Sequence, residues 1–287
     1  MRDYVIFTDS SADLTKEMSE ELGLQTIQLD VIVEGEEPTP NDKVDIKEIY
    51  AKLRAKKGAS TSAVSIENFL ECFEPFIKEG KDILYLGFSS GLSGTFNAGS
   101  VALRELAEKY PDSKLYAVDT LCASMGQGLL VYLAAKKKAS GADIDTVKAY
   151  TEELIPNLCH WFTVDDLFFL KRGGRVSAAT AVVGSLLSIK PVMHVDNAGK
   201  LINVAKARGR KAAVDTLFEK MKATVIPEKN ETVFISHGDC IEDAEYLANR
   251  IRTELKIDDL KINYVGAVIG SHSGPGTLAL FFLGTER

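Results

Sequence analysis

The chain has 287 residues, 45% hydrophobic and 26% charged, the balance of a globular protein long enough for two packed domains. Acidic residues outnumber basic ones 41 to 34, a formal net charge of -7 that argues against nucleic-acid binding. No apolar run approaches the ~18 residues of a membrane span, and the opening MRDYVIFTDSS does not read as a signal peptide, so a cytoplasmic protein, not integral to a membrane, is expected.

In chain order, residues 4–8 predict a strand that breaks at Asp9-Ser10-Ser11, with Ser11 or Asp13 placed to cap a helix. Residues 24–33 are apolar enough for extended chain. Helices are predicted over 45–57 and 65–79, the second opened by Ser65. A buried strand at 83–88 leads through a Gly/Ser-rich turn into a helix at 95–110, and a strand at 115–118 precedes a long helix at 125–140. Strands separated by helices of about 10–15 residues indicate βαβ units around a mainly parallel sheet. Further on, residues 190–196 and 200–205 flank Asn197-Ala198-Gly199 as a hairpin. A helix at 210–224, a strand at 232–236, a helix at 243–255, extended chain at 261–269 and a strand at 277–283 follow. This second pattern fits a mixed or antiparallel sheet with helices on one face. The expected architecture is α/β in two domains: an N-terminal parallel-sheet α/β domain over 1–157 and a C-terminal α+β domain over 158–287.

Cys72, Cys122, Cys159 and Cys240 contain no Cys-x-x-Cys pair, so reduced, buried thiols are expected rather than a zinc site or a disulfide framework. The turn Gly87-Phe88-Ser89-Ser90-Gly91-Leu92-Ser93-Gly94-Thr95 joins a strand to a helix, where backbone N–H groups and small hydroxyls can receive an anion. It also has the Gly-x-Ser-x-Gly spacing of a nucleophile elbow, with Ser89 in the nucleophile place. Ser60-Thr61-Ser62 can donate to a carboxylate or phosphate, or can simply cap a helix. In Leu170-Lys171-Arg172-Gly173-Gly174-Arg175 the glycines permit a sharp turn while Arg172 or Arg175 presents a planar fork to an anion. Gly270-Ser271-His272-Ser273-Gly274-Pro275-Gly276 sets a histidine among glycines and serines but lacks the Gly-Lys-Ser/Thr ending of a phosphate loop. His160, His194 and His237 lie in or beside apolar strand-like runs and read as structural.

Together with Thr8-Asp9-Ser10-Ser11, these motifs resemble, in order and spacing, the DegV family over essentially the whole chain. The resemblance implies two α/β domains with a long-chain fatty acid such as palmitate between them and no catalytic role for Ser89; with no Walker-type loop and no His/Asp/Glu cluster at metal-ligand spacing, no cofactor, metal or catalytic residue is expected. It also implies presentation of the acyl carboxylate to a separate ATP-dependent fatty-acid kinase subunit. On the same basis Thr61 and Ser93 would hold the carboxylate, with Ser62, Arg172 and His272 close by. The family's usual Gln after Thr-Ser is Ala63 here. The basic cluster Lys206, Arg208, Arg210 and Lys211 would help dock the kinase. Apolar walls for the tail are expected from residues 167–170, 182–189 and 278–283. The competing readings are a serine hydrolase built on Ser89, with Asp119 or Asp239 and then His272 in the required chain order, and an interaction or regulatory α/β protein with no small ligand.

Overall fold

The computed structural model describes residues 2–177 and 189–287. The N-terminal half runs β1 (Tyr4–Asp9), α1 (Lys16–Glu21), β2 (Gln25–Ile27), β3 (Asp30–Val33), β4 (Thr39–Pro40), α2 (Ile46–Arg54), β5 (Ala59–Ser62), α3 (Ile66–Lys78), β6 (Asp82–Gly87), α4 (Thr95–Lys109), β7 (Leu115–Asp119), α5 (Met125–Ala139) and α6 (Ile144–Leu154). Strands β2-β1-β6-β7 form a parallel sheet, and β4-β3-β5 form a small antiparallel one beside it. Every residue of β1 and β6 is buried, as parallel strands covered on both faces must be. Helix starts follow local chemistry: the Ser65 side chain accepts from Asn68 N, and Asp45 accepts from Lys47 N and Glu48 N. At α1 the cap is Thr15, not Ser11 or Asp13, because Asp13 adopts a left-handed backbone with φ 53°.

The second half contains β8 (Leu158–Thr163), α7 (Phe168–Arg172), β9 (Ile189–Val195), β10 (Leu201–Arg208), α8 (Arg210–Thr224), β11 (Thr232–His237), α9 (Ile241–Arg250), β12 (Asp259–Tyr264), α10 (Ala267–Ser273) and β13 (Leu278–Leu283). Its sheet has the order β10-β9-β8-β13-β11-β12, antiparallel except for the β11–β12 pair, and is therefore mixed. Two expectations need correction. Residues 24–33 are not one extended segment: the chain changes sheets between β2 and β3, where Ser10 Oγ accepts from Leu29 N at 3.0 Å. Residues 261–269 are extended only to Tyr264, and the chain then turns at Gly266 into α10, whose Val268 N donates to Asn41 Oδ1 of the first half.

The second sheet has its own helices on one face, where Val214, Leu217 and Phe218 of α8 and Leu247 of α9 pack with Val233, Ile235 and Leu280. Its other face is covered by α5 from the first half. Met125, Leu129 and Leu130 of α5 join Phe162, Phe234 and Phe281, whereas Val131, Ala134 and Ala135 join Ile6, Leu84 and Leu86 of the parallel sheet. Helix α5 thus lies between two sheets, and its apolar residues encircle it, as burial on all sides requires. Two glycines permit the close approach. A Cβ at Gly128 would lie 2.6 Å from Ala12 O, and one at Gly126 would overlap the His160 ring and lie 2.7 Å from Phe281 Cδ1. Among the described residues no helix is long and apolar enough to cross a membrane.

Gly126→Ala is expected to destabilise the protein by roughly 1–3 kcal/mol, since the added methyl has rigid neighbours rather than a flexible chain end to displace. Thermal or denaturant unfolding measures this, and an unchanged midpoint would show that α5 is not held as closely as described.

Candidate functional site

Where the two domains meet, a cavity of about 240 Å³ opens between them. Its wall is mostly apolar: Leu29, Phe88 and Leu92 come from the first half, and Phe162, Leu170, Val195, Val268, Ala279 and Phe281 from the second. Leu170, Ala279 and Phe281 fall in wall segments expected from sequence. The third such segment, 182–189, lies outside the described residues except for Ile189.

Polar groups gather on the wall around His272. Successive side chains of a strand point to opposite faces. Accordingly, Thr61 of β5 lines the cavity, whereas Ser62 turns away and donates to Asp30 Oδ2 at 3.3 Å. Thr61 Oγ1 lies 2.8 Å from His272 Nε2 at the end of α10. The other ring nitrogen, Nδ1, is buried and has no hydrogen-bond partner among the described residues. A Cβ at Gly173 would overlap that nitrogen, so the position requires glycine. Arg175 also lines the cavity; its Nε donates to Leu92 O at 3.2 Å, and a second guanidinium nitrogen donates to Gly173 O. Next to Leu92, Ser93 Oγ accepts from Thr95 N at 3.2 Å and lies 3.0 Å from Thr95 Oγ1. Burial, and then the charges of Arg175 and Arg172, push His272 down to about 4, so its imidazole is neutral near pH 7.

The structure therefore brings Thr61, Ser93 and His272 onto one wall and leaves Ser62 and Arg172 off it. Arg172 is exposed, with its guanidinium 5.1 Å from the Phe169 ring centre and 5.9 Å from that of Phe168. The arginine on the cavity is Arg175. Sequence offered both, and the tight turn at Gly173-Gly174 is what carries the second one inward. The basic cluster also divides. Lys206 and Arg208 are exposed on β10 with no acidic partner among the described residues. Arg210, by contrast, is paired with Asp243 at 2.8 Å and Lys211 with Asp215 at 2.8 Å.

The elbow reading of Ser89 does not survive the geometry. Ser89 is buried, and its Oγ donates to Gly199 O at 2.8 Å and accepts from Gly91 N at 3.2 Å. Asp119 accepts from Ser90 N and Leu121 N, Asp239 pairs with Arg54, and His272 faces Thr61. Gly-x-Ser-x-Gly here is a turn that seats the β9–β10 hairpin.

Further along the wall are groups that sequence reading did not assign to a site: Ser124, His160 and Ser236. His160 Nδ1 donates to Leu158 O at 3.1 Å while Nε2 accepts from Ala123 N at 3.4 Å, and burial keeps this ring neutral. Ser124 Oγ donates to Asp13 Oδ2 and lies 3.1 Å from Ser236 Oγ. Ser124 has a positive φ of 54° with ψ -148°, a sparsely populated backbone region that costs a non-glycine residue on the order of 1–3 kcal/mol. These residues come from the start of α5, from β8 and from β11, so no local motif announces them.

The frame is thus that of a two-domain α/β protein enclosing an apolar cavity with a small polar cluster on its wall. Residues 3–285 match the family model described as an uncharacterised protein of the DegV family, and the chain belongs to that family. A DegV domain-containing protein of Clostridium perfringens is 49% identical over 289 residues, covering 100% of this chain and 99% of its own. A DegV family protein from Thermus thermophilus, solved for its fatty acid binding, aligns with a TM-score of 0.87 at 29% identity over 98% of this chain and 99% of that one. DegV, a fatty acid binding protein from Bacillus subtilis, aligns with a TM-score of 0.84 at 27% identity over 98% and 99%.

Asp13 supplies a pH test. Burial pushes its carboxyl up from 3.8 to about 7, with the Asp9 charge adding and hydrogen bonds from Ser124 and Gly266 opposing. A folded-state pKa above the unfolded one means the stabilisation is full below pH ~4 and is lost as pH rises toward 7. Asp9 is shifted in the same direction by burial. Asp13→Asn is expected to flatten part of the decline in stability between pH 4 and 7, measured by denaturant titration at a series of pH values. An identical slope in the variant would place the proton elsewhere.

Proposed function

We propose that this protein binds a long-chain fatty acid such as palmitate and presents it to a separate ATP-dependent kinase for acyl-phosphate formation, with no chemistry of its own. The observation that carries the reading is an apolar cavity bordered by Thr61, Ser93, Arg175 and His272, whose Nδ1 has no partner among the described residues. Fatty-acid binding by the Thermus thermophilus and Bacillus subtilis relatives supports it. A tail of about sixteen carbons, at ~0.8 kcal/mol per methylene, contributes on the order of 11 kcal/mol gross. Lost rigid-body freedom and chain ordering offset a large part of that. A carboxylate leaving water needs donors or a cation, and two hydroxyls with the Arg175 guanidinium meet that need. Arg172 adds its charge from outside the cavity, and Ser62 braces β5 through Asp30. We place the domain boundary at 157/158, where the chain passes from α6 toward β8.

No Walker-type loop is present in the sequence, so the nucleotide belongs to the partner. Lys206 and Arg208 are the accessible part of the basic cluster and are the residues we assign to docking. Arg210 and Lys211, held by Asp243 and Asp215, shape the surface behind them.

The double variant Thr61→Val/Ser93→Ala is expected to bind palmitate at least tenfold more weakly while unfolding at a similar temperature, because each hydroxyl-to-carboxylate bond is worth ~1.5–3 kcal/mol. Wild-type affinity in that variant would move the head group elsewhere. Arg175→Met should cost more binding than Arg172→Met, and the reverse order would return the carboxylate to Arg172. Lys206→Glu/Arg208→Glu should lower acyl-phosphate formation with the kinase and leave palmitate affinity unchanged. Unaltered turnover, or lipid-dependent ATP consumption by this protein alone, would end the presentation reading.

A further inference from the structure

The cavity carries hydroxyls where a plain hydrocarbon tail needs none. Ser124 and Ser236 both line it, and they are only 5% and 0% exposed. Their neighbours on the wall include Phe162, Ala279 and Phe281, which offer no hydrogen bond. Behind them stands the buried Asp13, whose Oδ2 takes the Ser124 hydroxyl.

Counting protons and lone pairs shows that this relay ends open. A serine hydroxyl has one proton to donate and two lone pairs to accept with. With Asp13 ionised, Ser124 donates to Asp13 and Ser236 donates to Ser124, leaving the Ser236 oxygen as an unfilled acceptor. With Asp13 protonated the relay reverses, and Ser236 becomes a donor with no side-chain acceptor among the described residues. In both states Ser236 has no other side-chain partner among the described residues. Ser236 is thus satisfied once, through Ser124, and keeps one hydrogen-bonding position that a ligand hydroxyl can fill.

The relay is also well separated from the head-group cluster. Asp13 packs against Gly266, just before α10 begins, whereas Thr61 meets His272 near its end. Gly266 and His272 are six residues apart, about 9 Å along the axis at 1.5 Å per residue, so Asp13 and Thr61 sit at opposite ends of this helix. An acyl chain with its carboxylate at Thr61 that runs along the cavity toward the Asp13 end of α10 would meet Ser236 with carbons several bonds from the carboxylate.

We propose that Ser236, positioned by Ser124 and Asp13, is a specificity-determining contact for a hydroxy fatty acid whose hydroxyl lies near the middle of the chain. The inference rests on the fatty-acid reading above and adds the class of chain the cavity accepts. A hydroxyl brought into an apolar cavity with no partner weakens binding about tenfold or more, whereas one that meets Ser236 recovers that loss.

The test is equilibrium binding of stearate and of a mid-chain hydroxystearate to the full-length protein and to Ser236→Ala. Wild type should bind the two chains within about threefold of each other. In Ser236→Ala the ratio of affinities should shift about tenfold against the hydroxylated chain, whatever happens to stearate itself, and Ser236→Thr should restore it. Wild type that binds stearate and rejects hydroxystearate tenfold overturns the inference and leaves the fatty-acid reading standing. A ratio unchanged by Ser236→Ala does the same. Wild type that binds neither chain removes both. Should Ser236→Ala fail to fold, the wild-type ratio and the same measurement on Ser124→Ala still decide.

Discussion

The arrangement depends on one helix having to satisfy two sheets at once. Helix α5 gives Met125, Leu129 and Leu130 to the mixed sheet and Val131, Ala134 and Ala135 to the parallel one. Gly126 and Gly128 bring it against His160 on one side and against Ala12 on the other. Two residues along a helix correspond to about 200° of rotation, so these glycines open opposite sides of the same turn. The spacing of the two domains is set by that contact. Ala123 and Ser124, which lead into α5, reach the cavity as a direct result.

The polar wall follows from secondary structure in the same way. Strand alternation presents Thr61 and withdraws Ser62, and a glycine at 173 lets the His272 ring in. Helix α10 then holds that ring against Thr61. An imidazole held neutral by burial and by the charges of Arg175 and Arg172 gives the site a hydrogen-bonding group without a further cation. The positive charge on this wall is consequently supplied by Arg175, with Arg172 contributing from the surface.

Much of this was legible in the sequence where the cause is local. Ser65 announces α3, the span 210–224 reads as α8, and the apolar runs at 4–8 and 83–88 read as buried strands. Ser60-Thr61-Ser62 was less legible, because three hydroxyls look like a cap and become a strand only by pairing with β3 nearly thirty residues earlier. Residues 267–269 are β-like in composition, and it is packing against Tyr50 and Asn41 that makes them helical. Arg172 and Arg175 are chemically equivalent in the motif, and only the turn between them decides which one faces inward. The Asp13–Ser124–Ser236 relay had no signal at all, since its members lie more than a hundred residues apart.

Helix α10 has a counterpart in α5 that bears on how the molecule holds together. The first half sends α5 onto the face of the second sheet, and the second half returns α10 into the first core, where Ala267 and Val268 pack and Tyr50 hydroxyl donates to Val265 O at 2.8 Å. Each half thus completes the other, as two hands do when the fingers are interlaced. A cut at the chain boundary would leave both pieces with an exposed apolar trough, and neither would be a self-sufficient folding unit. Heating should therefore dismantle the two domains in one cooperative event. These two crossings tie the walls of the cavity together on both sides and oppose their swinging apart about a simple hinge.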